Sequence, residues 1–142
     1  MDSDNCAREV DQVADVCDDA LASWAYWEFK PFHDLTTSAG DRSEGFYNKD
    51  GTLEVAKVKS LVRTYVKKAQ GKLEKMSFIA DSAPDAATIS PGTFSATITI
   101  DTSIDAPSEI HAFQDPTSQV NWYPNGYSLK LTSSCDAQPD IK

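Results

Sequence analysis

Long hydrophobic runs are missing from this 142-residue sequence. The most apolar stretch, residues 20–32, is broken by Ser23, Glu28, Lys30 and Pro31, whereas a membrane-crossing helix needs about 20 apolar residues in succession. No transmembrane segment is expected. The start, Met-Asp-Ser-Asp-Asn-Cys6, is acidic where a secretory signal is basic and then apolar, so an export signal would lie upstream of Met1 or not exist. A cationic surplus is missing too. Acidic residues number 22 against 13 basic, a net charge of -9, and that sign argues against a phosphate backbone or an anionic membrane surface as the main partner. Nucleic acid is therefore not an expected partner. There are only two histidines, and Cys6, Cys17 and Cys135 form no Cys-x-x-Cys, so neither a metal nor another cofactor is expected. No Ser, Cys or Lys stands beside a base in the way an activated nucleophile requires. On one helix Cys6 and Cys17 would lie about 16 Å apart along the axis, beyond disulfide reach. The odd count leaves two readings open, a lost upstream partner or three buried thiols.

What is present divides into two halves. Residues 7–21 set Val10, Val13, Ala14, Cys17 and Leu21 at three- and four-residue steps, with Arg8, Glu9, Asp11, Gln12, Asp15 and Asp18 elsewhere. This predicts an amphipathic helix with the apolar set inward, capped by Asp4 or Asn5. Residues 21–30 are apolar and aromatic up to Pro31 and read as a buried strand. Residues 31–52, with Gly40, Gly45 and Gly51, read as a long connection, and loops of that length are usually functional. Residues 53–70 again have helical spacing, with Val55, Val58, Leu61, Val62, Tyr65, Val66 and Ala69 on one side, Asp50 or Thr52 as cap and Gly71 as terminator. Lys57, Lys59, Arg63, Lys67, Lys68, Lys72 and Lys75 then spread around a solvated face. After Lys75 the composition turns to β. Residues 93–100 alternate Phe94, Ala96, Ile98 and Ile100 with Thr and Ser. Strands are also expected over 109–113 and 127–132, the second after the turn Tyr123-Pro-Asn-Gly126. The boundary falls near 71–76, giving parts 1–71 and 72–142; there are no internal repeats.

Helix, strand, long loop and helix make one βα repeat with its preceding helix, the unit of doubly wound sheets and (β/α) barrels. Barrel strands end at the substrate, which places Trp24, Tyr26 and Trp27 at the mouth of a site. Sugar C–H faces stack on indole rings as apolar faces do on aromatic platforms. The plainer reading is packing, since Trp is mostly buried wherever it occurs. Strand alternation sets 24, 26 and 28 on one side and 25, 27 and 29 on the other, so at most one indole lines a pocket.

The stretch Leu21-Ala-Ser-Trp-Ala-Tyr-Trp-Glu-Phe-Lys30, then Ser43-Glu-Gly-Phe-Tyr-Asn-Lys-Asp-Gly51, then Leu61-Val-Arg-Thr-Tyr-Val-Lys-Lys-Ala-Gln-Gly71 resembles the last strand, loop and helix of glycoside hydrolase family 5, especially its endoglycoceramidase-like branch. Downstream, Ala106-Pro-Ser-Glu-Ile-His111 and Trp122-Tyr-Pro-Asn-Gly-Tyr-Ser-Leu-Lys-Leu131 are similar to the β-sandwich that follows the barrel in that branch. The resemblance covers roughly residues 7–133, and it rests on the succession of these motifs rather than on any single one.

The resemblance implies the end of a (β/α)8 TIM barrel followed by a small antiparallel β-sandwich. It also implies retaining hydrolysis of O-glycosyl bonds, in which one Glu protonates the leaving oxygen and a second forms a covalent glycosyl-enzyme. Both glutamates would fall upstream of Met1, so no residue of this chain is catalytic and the isolated chain would be inactive. Of the family's site residues, the aromatic platform maps onto Trp27, with Trp24 as second candidate. Glu28 is either a contact to sugar, a barrel-facing hydrogen-bond partner, or a salt-bridge partner of Lys30 or Arg42. His33 and Asp34 could reach a substrate hydroxyl, Asp41, Arg42 and Glu44 could shape the covering loop, and His111 is structural or exposed. The implied partner is a carbohydrate or glycolipid substrate, and the implied compartment is extracellular or an endomembrane lumen. The competing reading is a non-catalytic module binding carbohydrate or glycolipid through Trp122, Tyr123 and Tyr127, set against a turn packed with its own aromatic rings. A lone barrel strand leaves both its edges unpaired, so residues 1–70 are expected to be marginally ordered unless they dock on the second half.

Overall fold

The computed structural model describes residues 3–29, 45–48, 50–115 and 117–134. In chain order these form helix α1 (Ser3–Asp19), helix α2 (Val55–Leu61), strands β1 (Tyr65–Lys68) and β2 (Gly71–Phe78), a 3-10 turn (Pro84–Ala87), and strands β3 (Phe94–Ile100) and β4 (Glu109–His111). The strands make two antiparallel ribbons, β1 with β4 and β2 with β3. Tyr65 stands opposite His111, and Phe78 opposite Phe94, with a bulge in each ribbon.

Helix α1 forms where its period predicts, with Ala14 buried and Val10 and Cys17 half-buried as expected, but Val13 faces solvent and Asp11 and Asp18 face inward. Ala7, Asp11, Ala14 and Asp18, at steps of four, three and four, are its buried residues, while Val13 and Val16 are 62% and 68% exposed. The cause lies outside the helix. Arg63, itself buried, reaches back with Nη2 to Asp15 Oδ1 at 2.5 Å and to Asp18 Oδ2 at 2.9 Å, while Nη1 lies 3.7 Å from Asp11 Oδ1. Opposite charge within a shielded interface outweighs the burial of two valines. The helix ends as the chain curls over Leu21. Ala22 N–H donates to Cys17 O and Leu21 N–H to Asp18 O, with Leu21 at φ 50, the left-handed closure that satisfies terminal carbonyls.

The long helix expected over 53–70 stops at Leu61. Val62, Thr64, Tyr65 and Val66 are β-branched or aromatic and favour extended chain, and Arg63 is drawn toward α1. The carbonyls of Lys59, which also accepts the Val62 N–H, and of Val62 accept the indole N–H of Trp122 at 3.2 and 2.5 Å. The Lys59 ammonium lies 4.2 Å from that ring's centre, and Phe78 meets it edge-on at 5.1 Å. Neither Asp50 nor Thr52 caps α2, whose N-cap is Glu54 with no side-chain cap bond; instead Asp50 accepts from Thr52 within the preceding turn. Gly71 ends no helix but opens β2 at φ 131, where a Cβ would collide with the Thr99 carbonyl and lie 2.7 Å from Asp101 N.

Nor do the basic residues form a solvated helical face. Lys57 and Arg63 are buried, Lys59 pairs with Asp81, Lys67 and Lys68 with Glu109, and Lys72 with Glu74. β3 forms over nearly the whole alternating segment, and β4 over the first part of 109–113. Residues 127–132, expected as a strand, have no strand assignment and are exposed, because no neighbouring strand among the described residues accepts their backbone. The turn at Gly126 does close, its N–H donating to Tyr123 O. The division expected near 71–76 falls inside β2, and β1 before it pairs with β4 after it. Phe78, Ala80, Ala83, Val58 and Val120 are buried, with α1 and α2 packed together and α1 also against β2.

Candidate functional site

The segment that follows α1 carries the three candidate contacts. Residues 22–29 are not a strand. Among the described residues, Phe46 N–H donates to Phe29 O at 3.0 Å, and no strand pairs with the segment. It is positioned instead by aromatic rings. Tyr26 stacks on Phe46 at 5.8 Å, and Phe29 meets Phe46 and Tyr47 edge-on at 5.6 and 5.5 Å.

Phe46 and Tyr47 are held in turn by a tight reversal. Asn48 N–H donates to Thr52 O, Glu54 N–H to Phe46 O, and Tyr47 forms a bridge with Leu53. The buried Lys57 ammonium fastens this reversal to α2, donating to Gly45 O at 3.0 Å and pairing with Glu54 at 2.6 Å. A cation with both a carbonyl and a carboxylate partner can be buried without a large penalty. Sequence reasoning passed over Lys57, although its place among the valines of α2 at Val55 and Val58 was the available signal.

Within this frame Trp27 is 61% exposed, Trp24 is 39% exposed, and Glu28 is 4% exposed. The Trp27–Glu28 peptide is cis. Trp27 is open to solvent and Glu28 is enclosed. Glu28 Oε2 is buried without a hydrogen-bond partner, an arrangement that costs of order 1–3 kcal/mol or more for a charged group. The exposed Trp27 indole can offer a sugar a stacking face, while Glu28 Oε2 lies enclosed beneath the surface. The suggested partners Lys30 and Arg42, and the loop candidates His33, Asp34, Asp41 and Glu44, lie outside the described residues, as does Cys135. Cys6 and Cys17 are free and half-buried.

The residues of the competing reading are used differently. Trp122 is tied to the end of α2, and Tyr123 Oη lies 2.6 Å from Thr64 Oγ1 and donates to Gly92 O at 2.9 Å. Burial raises the Tyr123 phenol above its ordinary range, against the Thr64 hydrogen bond. Tyr127 is exposed, with its ring edge-on to Tyr123 at 5.5 Å. Of these three side chains, Tyr127 alone is exposed. His111 is exposed on β4 and lies 5.1 Å from the Tyr65 ring. Among the described residues no His, Cys, Asp and Glu group is arranged to hold a metal, and no helix is long and apolar enough to cross a membrane. Comparison with protein-family models, curated proteins and solved structures returns no match.

Proposed function

We propose that the chain is the C-terminal part of a retaining glycoside hydrolase of family 5, of the endoglycoceramidase-like branch. Residues 1–71 would complete its (β/α)8 barrel and residues 72–142 would contribute a small antiparallel β-sandwich. The motifs around Trp27, Gly51, Gly71 and Tyr123 support the family. The exposure of Trp27 beside the unpartnered Glu28 is the observation that carries the site. In this reading the acid/base and nucleophile glutamates are supplied upstream, and this chain contributes binding. Trp27 forms the surface on which a pyranose lies, Trp24 extends it, and Glu28 accepts a hydrogen bond from a sugar hydroxyl. The substrate is a carbohydrate or glycolipid with a β-linked sugar, met outside the cytosol or in an endomembrane lumen.

Titration of the purified chain with cellobiose and with octyl β-glucoside, followed by indole fluorescence and by NMR, tests the binding role. Trp27→Ala is expected to weaken binding several-fold, up to about tenfold, the value of one aromatic contact, and Glu28→Gln to weaken it less. Absence of binding to either glucoside, or equal binding by Trp27→Ala, removes the site. The encoding transcript tests the catalytic part: an in-frame extension upstream of Met1 with a Glu-ended strand supports it, and a stop codon directly before Met1 removes it.

A further inference from the structure

The interface between α1 and the rest of the fold contains more acid than its one base can neutralise. From α1, Asp11, Asp15 and Asp18 converge on Arg63, and two of them, Asp11 and Asp18, are buried with it. The guanidinium is shared unevenly. Nε donates to Asp18 Oδ2 at 3.3 Å, and Nη2 donates to Asp15 Oδ1, Asp18 Oδ2 and Phe78 O. Nη1 has no hydrogen bond, and the atom it faces, Asp11 Oδ1, has none either, at a separation of 3.7 Å. Asp11 is 2% exposed, and its other oxygen, Oδ2, is engaged by the Ser82 hydroxyl at very short range.

The remaining charged groups nearby do not redress the balance. On α2, the Lys59 ammonium is committed to Asp81 at 2.7 Å and to the Trp122 face, and Ser60 is neutral. On the segment after β2, Asp81 adds another negative charge and Ser82 none. On α1 itself, Asp19 is acidic and exposed. Three carboxylates against one guanidinium leave two negative charges in excess. The Asp15 side chain is 31% exposed; an enclosed carboxylate without an ionic hydrogen bond carries a charge only at high cost.

We propose that Asp11 carries a proton in the folded protein, on Oδ2 against Ser82 Oγ, and that this proton makes the docking of α1 an acid-favoured latch. A neutral carboxyl can donate to the Ser82 oxygen, and it removes a charge that Arg63 meets only at 3.7 Å and without a hydrogen bond. Burial also pushes the Asp11 carboxyl above its ordinary range, against the opposing pull of Ser82, Ser60 and Arg63, and burial acts on Asp18 in the same direction. The sign follows from proton counting. A carboxyl whose folded value is raised binds its proton in the folded state at a pH where the unfolded chain has lost it, so the added stability falls as pH rises through the raised value. The latch is closed in mild acid and loosens toward neutral and alkaline pH.

Two measurements on the 142-residue chain decide it. In a carboxyl carbon NMR titration, Asp11 is expected to have its midpoint above the ordinary aspartate value; a midpoint at or below that value overturns the proposal. Amide exchange of residues 7–18, corrected for intrinsic rates, is expected to show protection falling by up to about tenfold per pH unit through that midpoint, the limit for one linked proton. Asp11→Asn, which fixes a neutral group at the same place, should flatten this profile. Flat protection in the unsubstituted chain, or an unchanged slope in a folded Asp11→Asn, sinks the idea, and the carboxyl titration needs no variant. Neither readout involves sugar binding, so failure here leaves the glycosidase reading where it stands.

Discussion

Replacing Arg63 by methionine isolates the charge that holds the two helices together. Methionine keeps an unbranched apolar stem over the Phe78 ring, from which the guanidinium carbon now lies 5.0 Å, so the loss is electrostatic rather than a cavity. The contact with Asp15 counts for little, because that side chain is 31% exposed and exposed pairs are worth at most about 1 kcal/mol. Asp18, with a side chain 10% exposed, loses two hydrogen bonds and keeps its burial. Breaking a buried pair by removing one partner costs about 3–5 kcal/mol, a large share of the roughly 5–15 kcal/mol typical of a domain. Urea unfolding at neutral pH, followed by far-ultraviolet circular dichroism, should show a midpoint lower by about 2 M for a slope near 2 kcal/mol/M. Adding Asp18→Asn to Arg63→Met should recover at least half of the loss, because a neutral side chain needs no counter-charge. A loss below about 1 kcal/mol, or no recovery, would refute the assignment of Arg63 as the electrostatic centre of the α1 interface.

Three other substitutions test separate contacts. Trp122→Phe keeps an aromatic face but removes the N–H shared by Lys59 O and Val62 O together with part of the indole bulk, and should cost at least about 1–2 kcal/mol, with faster amide exchange at the end of α2 and unchanged exchange in β3. Gly71→Ala sets a Cβ against the Thr99 carbonyl at a positive φ, which should cost at least about 2 kcal/mol and lower Tm by roughly 10 °C in a calorimetric scan. Val13→Ser and Val16→Ser, on the outward face of α1, should each change stability by less than about 0.5 kcal/mol; a loss above 2 kcal/mol in the chemical denaturation of either would mean that this face is covered.

Local pattern carried the sequence reading as far as local pattern decides structure. The Phe94–Ile100 alternation matches the pleat and β3 follows it, although its partner β2 lies beyond the 3-10 turn Pro84–Ala87 and Ile100 is exposed. The period of α1 is equally plain, but its orientation depends on Arg63, 45 residues after Asp18. Judged by polarity alone, Asp11 and Asp18 point outward and Val13 inward, whereas the two aspartates are buried and Val13 is exposed. The end of α2 is likewise set from a distance by the Trp122 indole, 60 residues beyond Val62. At the candidate site, the sequence singled out Trp27, Trp24 and Glu28 by residue type and place. It did not indicate Phe46, Tyr47 and Lys57, which position the segment through tertiary contacts, or the enclosure of Glu28.

The two ribbons leave each strand hydrogen-bonded along a single side among the described residues. For β2 the open side is guarded by Lys72, Glu74 and Lys75 and by its bulge, devices that discourage intermolecular pairing. β3, Phe-Ser-Ala-Thr-Ile-Thr-Ile, has seven residues with neither charge nor proline, the composition of segments that stack into cross-β fibrils. Solubility of the chain thus depends on mutual repulsion from its overall negative charge, and concentrated samples brought toward the acidity that neutralises it should deposit thioflavin-positive aggregate, seeded at β3 and suppressed by placing a lysine at Thr97.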